Sequence, residues 1–116
     1  MPSIFHITTP AAWADAQSSG GYEHPSLAAE GFIHLSTADQ LLPTTERHYA
    51  GVDGLILLEV NPDAVPDLRW ELAPSVGEDF PHSYTPIPVD AVVATHPWDD
   101  DADRRTQVMA AIRSSS

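Results

Sequence analysis

The sequence has no cysteine and no lysine: its five basic residues are all arginine, set against 17 acidic ones for a net charge of −12. Without cysteine there is no disulfide framework, no thiolate metal site and no thiol nucleophile. The acidic excess repels phosphate backbones and anionic membranes, so nucleic acid and membrane surfaces are not expected as partners. Long apolar runs are missing too. Apolar runs such as Leu55–Leu58 are only a few residues long, where a membrane span needs about 20. The first residues, Met-Pro-Ser-Ile-Phe-His, lack a basic segment followed by an apolar one, so no secretory signal is expected and the cytoplasm is the expected location. No Gly-x-Gly-x-x-Gly, P-loop or His-x-x-x-His is present, which excludes a Rossmann domain and leaves no metal motif.

What remains is enough for one domain. A chain of 116 residues, 42% of them hydrophobic, can bury a single core. The pattern predicts α+β: a small, split, mostly antiparallel sheet with two to three helices. Strands are expected at Ser3–Thr8, Gly31–Ser36, Gly54–Val60, Leu68–Leu72 and Val89–Thr95, with a short extended piece at Phe80–Tyr84 and a loop over Ala73–Asp79. Thr9-Pro10 marks the start of a helix running to Gln17, Ser26–Glu30 makes about one helical turn, and Thr37 caps a helix from Ala38 to Tyr49. A single domain thus spans 1–98, followed over 99–116 by a helical tail that is acidic first and basic later, in line with the helix dipole.

Alternate strand residues point to opposite faces. Phe5 and Ile7 share one face while His6 lies opposite; Ile33 and Leu35 share one while His34 and Ser36 lie opposite with Phe32. Leu68, Trp70 and Leu72 form an apolar face expected to be core, with Arg69 and Glu71 opposite. If these strands are neighbours, the polar groups converge on one patch. Singly, each is more often a solvated face residue, and Arg69 with Glu71 can be a surface ion pair. Phe80-Pro81-His82-Ser83-Tyr84 adds an imidazole and a phenol that could form a pocket wall or simply cover the core. Arg47 closes a helix, where capping is the default role. His24 reads as a loop residue and His96 as structural.

The stretches Ile4–Thr8, Glu30–Thr37, Leu57–Val60, Arg69–Glu71, Phe80–Tyr84 and Pro86–Pro88 together resemble a bacterial domain-of-unknown-function family, number nine-five-two, which itself resembles the ADP-ribosyltransferase fold. That resemblance implies a split scaffold gripping NAD between two small sheets, with NAD as substrate and no other cofactor. It implies catalytic roles for His6 (contacting the nicotinamide ribose), His34 and Glu71, with the middle position falling at His34 or Ser36. Ser36, Arg47, Arg69, His82 and Tyr84 would bind the ligand, the two arginines facing its pyrophosphate. The expected function is therefore a nucleotide pocket with ribosyl transfer or NAD hydrolysis. A non-catalytic binding domain and a small acid/base enzyme that ignores NAD remain open beside it.

Overall fold

The computed structural model describes residues 2–115. Its elements run β1 (Ile4–Thr8), α1 (Pro10–Ser19), β2 (Gly21–Tyr22), α2 (Pro25–Glu30), β3 (Ile33–His34), α3 (Ala38–His48), β4 (Leu55–Val60), β5 (Leu68–Ala73), β6 (Glu78–Ser83), β7 (Ile87–Pro88), β8 (Val92–Trp98) and α4 (Ala102–Ser115). The class is α+β, and every strand pairing is antiparallel. Among the described residues there are four α-helices rather than two to three. The turn expected at Ser26–Glu30 is the short helix α2, which Pro25 opens and Gly31 closes in the left-handed conformation (φ 92°).

The strands form two three-stranded sheets, β1-β4-β8 and β3-β6-β5, plus the short pair β2-β7. The two larger sheets are stitched together just after β3: Phe5 N–H donates to the Ser36 carbonyl (2.7 Å), and Ser36 N–H donates to the Phe5 carbonyl (2.8 Å). The caps form as their residue types dictate. Thr9 Oγ1 accepts from Ala12 N–H, and Thr37 with Gln40 closes a reciprocal capping box. Gln40 also reaches the Asp79 carbonyl (2.8 Å), tying α3 to the β5–β6 hairpin.

In the sheet β1-β4-β8, the strands β1 and β4 are covered on both faces, while β8 exposes one of its faces. Ile4, Leu58 and Val60 pack with Tyr22, Ile33, Leu35 and Ile87 on one side. Phe5, Ile7 and Leu57 pack with Leu41, Trp98, Met109 and Ile112 on the other. The face carrying His6 is therefore interior. Two other expectations differ from the structure. The apolar face of β5 is only partly core: Leu68 packs inward, but Trp70 and Leu72 stay 47% and 60% exposed because β5 ends its sheet. The expected loop over Ala73–Asp79 shrinks to a hairpin turn, since β6 already pairs from Glu78 opposite Ala73, with Gly77 supplying a positive φ of 77°. Among the described residues, no helix is long and apolar enough to cross a membrane.

Candidate functional site

His6 sits on β1, 4% exposed, between two layers of the fold. Its Nδ1 lies 2.7 Å from the His34 carbonyl, which can only accept, so Nδ1 carries the proton. The neutral ring then accepts at Nε2 from the Tyr22 hydroxyl (2.8 Å), and the Tyr22 oxygen accepts in turn from Thr8 (2.7 Å). Burial, partly offset by the bond to His34, lowers the His6 pKa to about 4. The same burial raises that of Tyr22. Both ring nitrogens of His6 are thus spent inside the protein. Its edge meets His24, 5.3 Å away between ring centres. His24 caps α2, accepting at Nδ1 from Ser26 N–H (3.1 Å), and burial again lowers its pKa.

Beside this network lies a cleft of about 670 Å³. Of the eight residues singled out from sequence, His6, His34, Ser36, Arg47 and His82 line it; Arg69, Glu71 and Tyr84 do not. His34 is exposed and reaches Glu30 Oε2 at 3.2 Å. Ser36 is buried, its hydroxyl directed to Thr44 (3.4 Å). Arg47 donates to Thr44 Oγ1 (3.3 Å), and its guanidinium lies 5.9 Å from the centre of the Phe80 ring. Phe32 stacks on His82 at 4.2 Å with an 18° tilt and meets His34 edge-on at 4.8 Å, an aromatic wall suited to a planar guest.

The remaining three form a chain on the β5–β6 hairpin. Glu71 Oε1 accepts from His82 Nδ1 (2.9 Å) and from the Tyr84 hydroxyl (2.5 Å). Those two bonds, Tyr84 first, hold the Glu71 carboxyl below its usual pKa, and the same contact raises that of Tyr84. Arg69 lies over the Tyr84 ring (4.1 Å) and donates twice to Asp67 (3.1 Å each). Glu71 therefore touches the cleft only through His82. With its Nδ1 proton committed, the His82 ring presents Nε2 as an acceptor, and that atom has no hydrogen-bond partner among the described residues.

Cleft residues without a site role in the sequence reading include His24, read as a loop residue, Thr44, His48 and Tyr49. Only the histidine content offered a signal: five of the six histidines line this one cleft, and the sixth, His96, pairs with Glu59 at 2.7 Å elsewhere. A second depression of about 800 Å³, beside Pro2, Asp39, Glu59 and Trp70, contains no histidine. No group of three or more His, Asp or Glu among the described residues is placed to hold a metal ion.

Residues 7–95 match the model of a family described as "Protein of unknown function (DUF952)". The crystal structure of protein CC0527 from Caulobacter crescentus is similar at 34% identity and a TM-score of 0.82, over 93% of this chain and 98% of that one. Its solution NMR structure is similar at 36% identity and a TM-score of 0.74, over 90% of each. No curated protein matches.

Proposed function

The chain belongs to the DUF952 family of proteins of unknown function, and for this member we propose that the histidine-lined cleft binds a nicotinamide nucleotide on an ADP-ribosyltransferase-like scaffold and transfers or hydrolyses its ribosyl group. The observation that carries the reading is electrostatic. In a chain of net charge −12, the cleft is lined by five histidines, Arg47 and a single carboxylate, Glu30. With His6 and His24 held neutral by burial, Arg47 and Glu30 balance, so an anionic ligand meets less repulsion here than the net charge of the chain implies, with Arg47 as its cationic partner. The Phe32–His82 stack offers its faces and edges to a base or nicotinamide ring, and Arg47 offers a pyrophosphate partner. Two small antiparallel sheets joined at Phe5–Ser36 suit the scaffold.

Breaking the nicotinamide–ribose bond builds positive charge on the ribose, which an ionised carboxylate stabilises. Glu71 is kept ionised, but behind His82, so its influence reaches the cleft through the ring it orients. His82 Nε2 is the atom able to take a proton from an attacking water or hydroxyl. His34, exposed at the mouth, can donate to or accept from the ligand. His6 does neither in this arrangement; it holds the β1–β3 junction in place, leaving the proton-handling to His82.

Isothermal titration with NAD, ADP-ribose and nicotinamide tests the binding step. Saturable binding of NAD and ADP-ribose is expected, with Arg47→Ala weakening both by about tenfold or more through loss of a charge-assisted bond. Absence of heat at millimolar nucleotide would sink the reading. Nicotinamide release, abolished by Glu71→Gln with binding retained, separates an enzyme from a binding domain. The latter gains one point from the complete internal commitment of His6.

A further inference from the structure

The two larger sheets are joined along β1 and β3, which leaves β5 and β8 as their outer strands. Outer strands in natural proteins usually carry something that stops another chain from adding on, such as proline, a bulge or lysine. β8 carries Pro97. β5 has no proline, bulge or lysine, and its two charges, Arg69 and Glu71, are of opposite sign: Leu68–Ala73 runs in unbroken register against β6 and leaves Arg69, Trp70 and Leu72 exposed.

The order Leu68-Arg69-Trp70-Glu71-Leu72 is also complementary to itself under a two-fold axis. Antiparallel pairing centred on Trp70 sets Trp70 against its own copy, Arg69 against the second copy's Glu71, and Leu68 against the second copy's Leu72. Opposed residues in such a pair share a face, so the apolar side chains meet on one side and the opposite charges on the other. Shifting the centre by one residue opposes two Arg69 or two Glu71 side chains. A half-step shift places Trp70 against a charge. One register alone satisfies every position, as an isologous interface requires. Glu71 is equipped for it as well: both of its bonds within the chain fall on Oε1, leaving Oε2 without a hydrogen-bond partner among the described residues.

We infer that the chain forms a two-fold dimer through β5, centred on Trp70, which joins two three-stranded sheets into one of six strands. The inference does not depend on what the cleft binds.

Sedimentation equilibrium tests it on the whole chain from micromolar to millimolar concentration. The wild type is expected to shift from one-copy to two-copy mass over that range. Trp70→Lys, which faces two ammonium groups across the axis, should raise the dissociation constant on the order of 30-fold or more. Arg69→Glu should weaken the dimer by opposing like charges, and adding Glu71→Arg to it should restore association. Both single changes fall on exposed side chains, and circular dichroism checks that the fold is kept. Because the chain has no other thiol, Trp70→Cys should form a disulfide-linked dimer under mild oxidation faster than Val93→Cys, an exposed control at 58%. A wild type that stays single-copy at millimolar concentration overturns the dimer. Association indifferent to Trp70→Lys and Arg69→Glu, or equal cross-linking of the two cysteine variants, overturns the interface.

Discussion

Truncating Trp98 to alanine should cost the fold about 3–5 kcal/mol, the range for removing a fully buried large aromatic side chain. Trp98 is 0% exposed. It packs among Phe5, Ile7, Leu41, Leu55 and Leu57 on one hand and Met109 and Ile112 of α4 on the other. Its indole N–H donates to Thr45 Oγ1 at 2.9 Å, and the Arg105 guanidinium lies 5.4 Å over its ring. One side chain thus fastens β8, α3 and α4 together. Since a domain of this size has about 5–15 kcal/mol to lose, the variant should unfold at much lower denaturant. A loss below about 1 kcal/mol in a urea titration would mean that α4 is not docked as described.

The second large effect is a loss of stability as pH falls from 6.5 to about 4. His6 has a folded-state pKa of about 4 against 6.5 when unfolded. Between those values the unfolded chain binds a proton that the folded chain refuses. Stability therefore rises with pH across the window and is fully present above 6.5. The span corresponds to about 3 kcal/mol, on the order of 1.4 kcal/mol per pH unit. His24, lowered by burial as well, acts in the same direction. Relief of carboxylate repulsion acts against both, because the chain carries −12 at neutral pH. Comparison with His6→Leu isolates the His6 contribution. That variant should be weaker at neutral pH, with the His34 carbonyl left unpaired, yet show a flatter profile between pH 6.5 and 4. Identical slopes would mean that His6 is not buried neutral.

Much of the frame could be read from residue types. Thr9-Pro10 and Thr37 open helices because their hydroxyls and a proline suit the first turn. The apolar run at Leu55–Val60 becomes the middle strand of its sheet. Alternation also assigned the faces of β1 and β5 correctly, but not what covers them. His6 among Ile4 and Thr8 has the pattern of a half-exposed strand; only the layer containing Tyr22, supplied by the β2–β7 pair, makes it interior. That pair is two residues long on each side, too short for any periodic signal. Leu68, Trp70 and Leu72 have a core pattern, yet the strand lies at the sheet's end and two of them face solvent.

The candidate site was legible to the same degree. The polar faces of β3 and β5 do not meet directly: His34 and Arg69 both stand opposite His82 of β6, which lies between them, and Arg69 is off the cleft wall. The departure of Glu71 from the cleft wall, and its link through His82, depends on the diagonal reach between neighbouring strands. Sequence spacing does not contain it. His24 has the look of a loop residue until its ring is seen capping α2 and meeting His6.

The central claim, that the cleft takes a nicotinamide nucleotide, is tested most directly by following the six histidine rings in NMR spectra during titration with NAD. His24, His34, His48 and His82 surround the cleft, and His96 is held by Glu59 outside it. The account predicts saturable shifts of these four rings, with His96 unmoved, and the same pattern with ADP-ribose. Rings that stay still at millimolar NAD, or a response confined to His96, would contradict it.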